Sequence, residues 1–407
     1  MGTVSIDLPG CKSVSQRALL LAALATGSSH LAGLSASDDT RFLRAALAAL
    51  GVHFHSQADG RVRVDGAAGL PLSACTELHL GAGGSTLRFL LPLVARQNRQ
   101  VRLFAAPGLM ARPHTALVEL LQGHGAHVET LPDGFLVHGQ SLRLPSPTLV
   151  PVGLSSQFFS GLMMTSGAAA QSWQLDGLPV SPGYLEMTVA LLRQFRGAAC
   201  VAMEGLLWHQ SGGFGVRQNL EIPADSSAAL FFAVAAALLD STISFTRAVS
   251  PLHPDAYALR FLEEAGFVQR GKRSFTGTAP TAIVCEAFDL ALSPDSGPAM
   301  AVLAASHTGG IRFENAGRLR HKESDRVEGM ARLALACGGE MMHQGESLWI
   351  RAVASKPPQT LFDPAADHRL AMAAGVAALR WPGIHVMNPA VVAKSFPDFW
   401  NQLDLLR

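Results

Sequence analysis

The sequence lacks an excess of charge of either sign. Its 407 residues include 32 Lys and Arg against 31 Asp and Glu, and charged residues make up 15% of the chain. Lys and Arg form no run anywhere in it. Because proteins that bind nucleic acid or anionic membranes normally carry a basic patch, we expect neither a nucleic-acid nor a membrane partner.

Long hydrophobic runs and patterned cysteines are also missing. The mean hydropathy is +0.24, but the longest apolar run, Ala228–Leu239, is shorter than the roughly 20 residues that a membrane helix needs. The first seven residues show neither the basic start nor the apolar stretch of a signal peptide. The five cysteines have no CxxC spacing, so we expect no disulfide framework, no metal site and a cytoplasmic protein.

What the chain does contain is a six-fold repeat of apolar segments, each beginning with Ser or Asp. The first residues are 70, 70, 71, 70 and 71 positions apart: Ser15, Ser85, Ser155, Ser226, Ser296 and Asp367. Ser and Asp are favourable helix N-caps, and a helix that is apolar on every face is normally buried. Each repeat is therefore predicted to carry one buried helix.

A second, amphipathic helix is predicted in each repeat. These helices are Asp39–Leu50, Pro113–Gln122, Gly183–Phe195, Pro254–Ala265, Ser324–Ala336 and Phe396–Leu406. Short alternating stretches around turns such as Pro132-Asp133-Gly134 predict strands. The predicted repeat is strand, helix, strand, helix and hairpin, and six copies imply an α/β fold with either two domains of three repeats or a closed ring.

Basic residues gather at the predicted starts of the buried helices, among them Lys12, Arg17, Arg88 and Arg369. Glycines and hydroxyl side chains lie beside them. Helix N-termini offer free N–H groups and the positive end of the helix dipole, and Gly with Lys or Arg completes an anion site. The pattern predicts a substrate that carries several phosphates or carboxylates.

These stretches resemble the motifs of the 5-enolpyruvylshikimate-3-phosphate (EPSP) synthase family, in the family's order and over the whole chain. Most specific are His321–Arg326, Asp367–Met372 and Lys394–Asp398. The others are Leu8–Ala18, Asp38–Thr40, Leu80–Ser85, Arg112-Pro113, Ser155–Phe158, and Ser181 with Tyr184.

The resemblance implies an inside-out α/β barrel in each of two domains, each with three βαβαββ units around buried parallel helices. The implied domains are residues 12–223 and residues 1–11 with 224–407, with the active site in the cleft where they close over the substrates. The family transfers the enolpyruvyl group of phosphoenolpyruvate to the 5-hydroxyl of shikimate 3-phosphate by addition and elimination, and releases phosphate. No metal or organic cofactor is expected, and the family suggests a monomer.

The resemblance also implies roles for individual residues. Asp295 would be the base, and Glu323 the proton donor with help from Lys12. The shikimate 3-phosphate ligands would be Lys12, Ser13, Arg17, Ser155, Ser156, Gln157, Ser181, Tyr184, Asp295 and Lys322. The phosphoenolpyruvate ligands would be Lys12, Gly84, Arg112, Gln157, Arg326, Arg369 and Lys394. Asp367 and His368 are interpreted as structural.

Several positions depart from the family pattern. Cys11 replaces Ser, Gln16 replaces Asn, Ala82 replaces Asn, Phe89 replaces Pro, and Arg318 stands about where many members have an Asn that touches shikimate. The segment before Arg112 lacks the family's usual basic residue. The cations and the acid–base residues assigned above are intact, so activity is expected. Gly84 matches the glycine of glyphosate-sensitive members and predicts inhibition by glyphosate.

Three alternatives stay open at this point. UDP-N-acetylglucosamine enolpyruvyl transferase shares the fold, but Arg102–Arg112 lacks that family's reactive Cys. A ring-shaped DNA clamp also has six repeats, but it would place cations along its helices rather than at their starts. A degenerate or re-purposed member could bind shikimate 3-phosphate or a related hydroxy acid without the expected turnover.

Overall fold

The computed structural model describes residues 4–69, 73–139, 142–167, 169–278, 287–345, 347–353 and 359–407. It divides into two compact units: an N-terminal unit, Gly10–Ile222, and a C-terminal unit that joins the segment up to Pro9 to Pro223–Arg407. The domain limits implied by the resemblance lie two residues later at the first division and one residue later at the second. Within the described residues, no helix has the length and apolar character needed to cross a membrane.

The N-terminal unit contains seven helices and twelve strands among its described residues. The helices are α1 (Lys12–Leu24), α2 (Asp38–Ala49), α3 (Gly84–Ala95), α4 (Pro107–Met110), α5 (Thr115–Gly123), α6 (Ser156–Thr165) and α7 (Pro182–Arg196). The strands are β2 (Ser28–Ala32), β3 (His53–Ser56), β4 (Val62–Asp65), β5 (Glu77–His79), β6 (Gln100–Phe104), β7 (His127–Leu131), β8 (Gly134–His138), β9 (Thr148–Val150), β10 (Gln171–Leu175), β11 (Val201–Glu204), β12 (Leu207–Gln210) and β13 (Asn219–Glu221).

The C-terminal unit begins with β1 (Val4–Ile6) and continues after β13. Its helices are α8 (Ser226–Leu239), α9 (Ala256–Glu264), α10 (Gly297–Ala304), α11 (Arg326–Ala336), α12 (His368–Arg380) and α13 (Phe399–Asp404), with 3₁₀ turns at Gly317–His321 and Pro389–Lys394. Its other strands are β14 (Thr242–Phe245), β15 (Val268–Arg270), β16 (Ser274–Gly277), β17 (Ala287–Asp289), β18 (Ile311–Glu314), β19 (Gly339–Gln344), β20 (Ser347–Ala352), β21 (Thr360–Phe362) and β22 (Ile384–Val386).

Among the described residues, the strands form five four-stranded sheets and one two-stranded sheet. Each four-stranded sheet contains one parallel pair of strands and an antiparallel hairpin, and in the sheet of β5, β6, β8 and β7 the helix α3 connects the parallel strands. The parallel pair needs a helical crossover, and the hairpin needs a tight turn. The predicted α/β fold with its strand, helix, strand, helix and hairpin repeat is confirmed.

Two strands complete sheets far from their own place in the sequence. β1 pairs in parallel with β14, so the first described strand belongs to the sheet of the fourth repeat. β13 pairs in parallel with β2, so the last strand before Pro223 completes the sheet of the first repeat. These pairings explain why the segment up to Pro9 belongs to the C-terminal unit.

The core of each unit is built on its buried helices. In the C-terminal unit α8, α10 and α12 pack against one another, and in the N-terminal unit α6 packs against α1 and α3. Almost every residue of α8 is buried, as expected for a helix that is apolar on all faces.

The predicted helix starts are correct in three repeats and wrong in three. Ser155, Ser296 and Asp367 are the N-cap residues of α6, α10 and α12. In the first, second and fourth repeats the N-caps are Cys11, Gly83 and Asp225, so Ser15, Ser85 and Ser226 lie inside their helices. Ser15 shows the reason: its hydroxyl is buried and accepts a hydrogen bond from the backbone N–H of Ser35 at 2.9 Å, a role that the sequence pattern does not distinguish from capping.

Candidate functional site

The start of α1 holds a buried Lys–Asp pair. Lys12 Nζ lies 2.9 Å from Asp39 Oδ2, and both side chains are largely buried. Gln16, one turn further along α1, donates to the backbone oxygen of Asp39 at 3.2 Å and to the Thr86 hydroxyl at 3.0 Å. The departure at Gln16 is therefore accommodated by hydrogen bonds between helices, and Asp39 orients the ammonium group of Lys12.

Arg17 is a buried cation whose described hydrogen-bond acceptors are neutral oxygens. Its guanidinium donates to the Thr188 hydroxyl at 2.7 Å and to the backbone oxygens of Ser13 and Tyr184 at 2.9 and 3.3 Å. Burial lowers the pKa of Arg17 to about 10, so the group stays charged at neutral pH. A positive charge held in this way can neutralise an anionic ligand.

Two aromatic rings hold the Arg17 guanidinium from its faces. The carbon Cζ lies 5.2 Å from the centre of the Phe89 ring and 5.8 Å from that of Tyr184. Phe89 is fully buried. Phe89, which stands where the family has Pro, thus makes a cation–π contact with Arg17.

The start of α6 is tied to the start of α3 through Gln157. Arg88 donates to Gln157 Oε1 at 2.7 Å and to the Ser155 hydroxyl at 3.3 Å, and the Gln157 amide donates to Ser85 Oγ at 2.9 Å. Ser155 also caps α6 by accepting from the backbone N–H of Gln157 at 3.2 Å. Ser155 and Gln157 therefore lie in one polar cluster at two helix starts, next to Ser156.

Gly84 and Arg112 lie in close contact at the start of α3. A Cβ atom added to Gly84 would lie 2.7 Å from Nη1 of Arg112, so glycine is what allows the guanidinium to lie against the helix start.

Ser181, before α7, has a φ of 52°, in the left-handed region that side chains disfavour. Such strain is found where function demands a particular geometry.

Arg326 is the centre of a charge cluster in the C-terminal unit. Its guanidinium donates to Asp367 at 2.7 Å through Nε, to Asp295 at 2.7 Å through Nη1 and to Glu323 at 2.8 Å through Nη2. The side chain is 1% exposed. Asp367 also caps α12 by accepting from the backbone N–H of Arg369 at 2.9 Å, which agrees with its interpretation as a structural residue.

Asp295 is surrounded by three cations. Arg326, Arg369 and Lys322 contact its carboxylate at 2.7, 3.1 and 3.5 Å. Burial acts to raise the pKa of Asp295, but the charges of Arg369, Lys322 and Arg326 outweigh burial and the nearby Glu323, and hold the pKa well below its usual range. Asp295 is thus ionised at neutral pH.

Glu323 shares Arg326 with Asp295 and adds a second cation. Lys394 Nζ lies 3.2 Å from Glu323 Oε1, while Arg326 contacts Oε2. The side chains of Glu323 and Lys394 are 14% and 12% exposed. The structure therefore brings together six predicted site residues of the C-terminal unit: Asp295, Lys322, Glu323, Arg326, Arg369 and Lys394.

Two residues of these clusters were given no role in the sequence analysis. Asp39 was seen as part of a motif without a role, and Arg88 as a basic residue at a helix start. The sequence does contain a signal for Asp39. Asp38 lies three residues before Arg41 and pairs with it on the surface of α2, whereas the adjacent Asp39 has no such neighbour in the helix and is buried. Arg318, a noted departure, donates to the backbone oxygens of Leu290 and Ala291 at 3.2 and 2.6 Å, and so supports the loop that leads to α10.

A model of the family described as EPSP synthase (3-phosphoshikimate 1-carboxyvinyltransferase) matches residues 2–403. The chain belongs to the EPSP synthase family. This membership confirms the resemblance seen in the sequence motifs and makes the chain an enolpyruvyl (1-carboxyvinyl) transferase by family.

Named relatives agree with the family model over nearly the whole length. The chain is 30% identical to a 3-phosphoshikimate 1-carboxyvinyltransferase of Bordetella parapertussis, over 97% of this chain and 94% of the relative. It is 31% identical to the protein of that name from Pseudomonas syringae pv. tomato, over 98% and 93%.

Solved structures show the same fold. EPSP synthase from Acinetobacter baumannii matches with a TM-score of 0.76 and 23% identity, over 99% of this chain and 96% of that chain. The enolpyruvyl transferase NikO from Streptomyces tendae matches with a TM-score of 0.69 and 18% identity, over 100% and 94%. At these identities the likeness concerns the fold, and it confirms the predicted two-domain α/β architecture.

Proposed function

We propose that this protein transfers the enolpyruvyl group of phosphoenolpyruvate to the 5-hydroxyl of shikimate 3-phosphate and releases phosphate, a step of the shikimate pathway to the aromatic amino acids. Family membership over residues 2–403 carries the proposal. The charge cluster around Arg326 supports it. The reaction needs a proton acceptor and a proton donor beside anionic substrates, and this cluster holds two carboxylates, Asp295 and Glu323, among cations.

Phosphoenolpyruvate carries a phosphate and a carboxylate, and both suit guanidinium groups that donate two parallel hydrogen bonds. We propose that Arg326, Arg369 and Lys394 of the C-terminal unit bind it. The proposed ligands of the N-terminal unit are Lys12, Gly84, Arg112 and Gln157. Gly84 would act through its backbone N–H at the start of α3, which points toward any anion held there.

Shikimate 3-phosphate carries a phosphate, a carboxylate and hydroxyls. We propose that the buried cation Arg17 and the hydroxyl groups at the start of α6 bind its anionic groups. Helix N-termini favour anions, and so does a cation whose described hydrogen-bond acceptors are neutral oxygens. The complete proposed set is Lys12, Ser13, Arg17, Ser155, Ser156, Gln157, Ser181, Tyr184, Asp295 and Lys322.

The proposed reaction proceeds by addition and elimination. Asp295 removes the proton of the 5-hydroxyl as its oxygen attacks C2 of phosphoenolpyruvate, and Glu323, with Lys12, delivers a proton to the methylene carbon C3. The tetrahedral adduct then loses phosphate by cleavage of the bond between C2 and the phosphate oxygen, while C3 returns a proton to Glu323 and the double bond is restored. The departing phosphate takes up the proton that Asp295 accepted, so both carboxyl groups end in their starting states. We expect no metal or organic cofactor to be needed.

Glu323 must hold a proton before it can donate one. In the structure its carboxylate contacts the two cations Arg326 and Lys394, which favour the ionised form. We propose that the phosphate and carboxylate of phosphoenolpyruvate draw these cations away from Glu323, so that substrate binding itself prepares the acid.

Phosphate release with both substrates present tests the proposal. We expect release that requires both compounds, resists a chelator and falls by several orders of magnitude in Lys12→Ala. Lys272→Ala is the matched control, because Lys272 is exposed and outside every proposed ligand set. Absence of release by the wild-type protein would contradict the proposal and would favour a re-purposed member of the family.

Two carboxylate variants test whether Asp295 and Glu323 take part in proton transfer. Asp295→Asn and Glu323→Gln should each lower kcat by a factor on the order of 10² or more, whereas Glu328→Gln, an exposed residue of α11, should not. Turnover within a few-fold of wild type in both Asp295→Asn and Glu323→Gln would refute the acid–base assignment.

We also propose a monomer, which sedimentation of the purified protein would check.

A further inference from the structure

A fully buried carboxylate outside the proposed ligand sets lies in the C-terminal unit. Asp255 is 0% exposed and stands immediately before α9, but its side chain does not cap that helix. Its oxygens instead accept hydrogen bonds from two other elements. A buried charge of this kind is costly unless several groups stabilise it, so its neighbours indicate what it does.

One hydroxyl donor lies in the first turn of α8, and the other lies in the loop that leads to α10. Ser227, in the first turn of α8, donates to Oδ2 of Asp255. Ser293, two residues before Asp295, donates to Oδ1 at 2.6 Å. Asp255 thus joins the beginning of α8 to the loop that carries the proposed base.

The local backbone holds the carboxylate in this position. The N–H of Asp255 donates to Nδ1 of His253 at 3.1 Å, and His253 is itself buried. His253 therefore fixes the turn at Asp255.

The third neighbour is Arg369, a proposed phosphoenolpyruvate ligand. Its Nη1 lies 3.9 Å from Asp255 Oδ2, while its Nη2 donates to Asp295 Oδ2 at 3.1 Å. The guanidinium is thus placed between a fully buried carboxylate and the carboxylate of the proposed base. At 3.9 Å the contact with Asp255 acts through charge rather than through a hydrogen bond, and burial keeps that charge from being screened by solvent.

We infer that Asp255 is a positioning residue that holds Arg369 for phosphoenolpyruvate. The inference rests on the proposed function and adds to it a residue that touches neither substrate. Without the Asp255 charge, Arg369 would be drawn more strongly toward Asp295, and its guanidinium would leave the orientation in which it meets the incoming anion. A displacement of about an ångström in a substrate-binding group can reduce catalysis about 100-fold.

Asp255→Asn tests the inference because it keeps the size of the side chain and an acceptor oxygen but removes the charge. We expect KM for phosphoenolpyruvate to rise about ten-fold or more, while calorimetry of shikimate 3-phosphate alone gives a Kd within two-fold of wild type. Asp240→Asn is the control: Asp240 is exposed at the end of α8 with a φ of 47°, a conformation that Asn also tolerates, so neither constant should change.

The outcomes are distinguishable. An unchanged KM for phosphoenolpyruvate in folded Asp255→Asn would overturn the inference, and so would equal losses for both substrates, which a purely structural role would produce. If Asp255→Asn does not fold, Ser227→Ala and Ser293→Ala loosen the carboxylate while its charge remains, and the same selective rise in KM is expected of the double variant. Absence of turnover by the wild-type protein would overturn the proposed function, and the inference with it.

Discussion

The strongest energetic prediction concerns Arg326, which is shared by three carboxylates. Arg326→Met keeps a long, unbranched side chain of similar reach and removes the guanidinium. Arg320→Gln is the comparison at an exposed ion pair, since Arg320 lies 2.8 Å from Asp325 and Arg326 lies 2.7 Å from Asp295. The distances are nearly equal, but Arg320 is 46% exposed and Arg326 is 1% exposed, and Arg326 contacts three carboxylates.

The expected magnitudes follow from that difference. Removal of one partner from a buried ion pair costs about 3–5 kcal/mol, whereas an exposed pair contributes at most about 1 kcal/mol. Asp295 retains Arg369 and Lys322 in the variant, so the losses do not triple. Asp367, which is 0% exposed, retains one hydroxyl and one backbone N–H donor. We therefore expect Arg326→Met to lower the free energy of unfolding by about 3–5 kcal/mol.

The pH dependence gives a second reading of the same substitution. In the wild type the pKa of Asp295 is lowered, so its stabilising contribution is present above the unfolded value near 4 and is lost as pH falls through the folded value. Without Arg326, Asp295 takes up a proton at higher pH than in the wild type, because one of its three cations is gone. The difference in stability should therefore shrink as pH falls through the pKa that Asp295 has in the folded variant.

Urea unfolding followed by tryptophan fluorescence measures both effects. The reasoning would be refuted if Arg326→Met and Arg320→Gln cost the same at pH 7. It would also be refuted if the loss in Arg326→Met grew as pH fell.

Three further predictions follow from single contacts. Gly84→Ala should raise KM for phosphoenolpyruvate and weaken inhibition by glyphosate, because the added Cβ meets the Arg112 guanidinium at 2.7 Å; steady-state kinetics with unchanged constants would contradict this. Thr188→Val should lower the free energy of unfolding by about 1–3 kcal/mol, since Arg17 Nε loses its acceptor. A urea titration that shows the same free energy of unfolding as the wild type would count against this. Burial lowers the pKa of His114 to about 4, so protonation of the unfolded chain should remove about 3 kcal/mol of stability between pH 6.5 and 4. His114→Gln should lack that loss, and parallel stability curves for the two proteins would contradict the assignment.

The helices could be predicted from the sequence because the spacing of their apolar residues shows which face of each helix is buried. The predicted helix Asp39–Leu50 is observed at Asp38–Ala49, and the predicted Gly183–Phe195 at Pro182–Arg196. Apolar residues at helical spacing, closed by a glycine, locate such elements to within a residue or two. Three of the six buried helices begin at another residue than predicted, because a buried Ser such as Ser15 can bond another backbone group instead of capping a helix.

The candidate site could be predicted only in part. The resemblance placed Arg326, Glu323 and Lys394 in one active site, but not the ion pairs that join them, because long-range contacts leave no trace in local spacing. Asp255 carries still less signal. It lies between Pro254 and Ala256 before a helix, where a capping Asp is ordinary, and its contacts with Ser227, Ser293 and Arg369 arise from the fold.

The central claim is that enolpyruvyl is transferred to the 5-hydroxyl of shikimate 3-phosphate, and the identity of the product tests it most directly. Phosphorus NMR of the wild-type reaction should show the phosphoenolpyruvate signal replaced by inorganic phosphate in equal amount, while the phosphate of shikimate 3-phosphate remains esterified. Proton and carbon NMR should place the new enol ether at position 5. An unchanged shikimate 3-phosphate spectrum, or phosphate lost from that compound instead, would contradict the account.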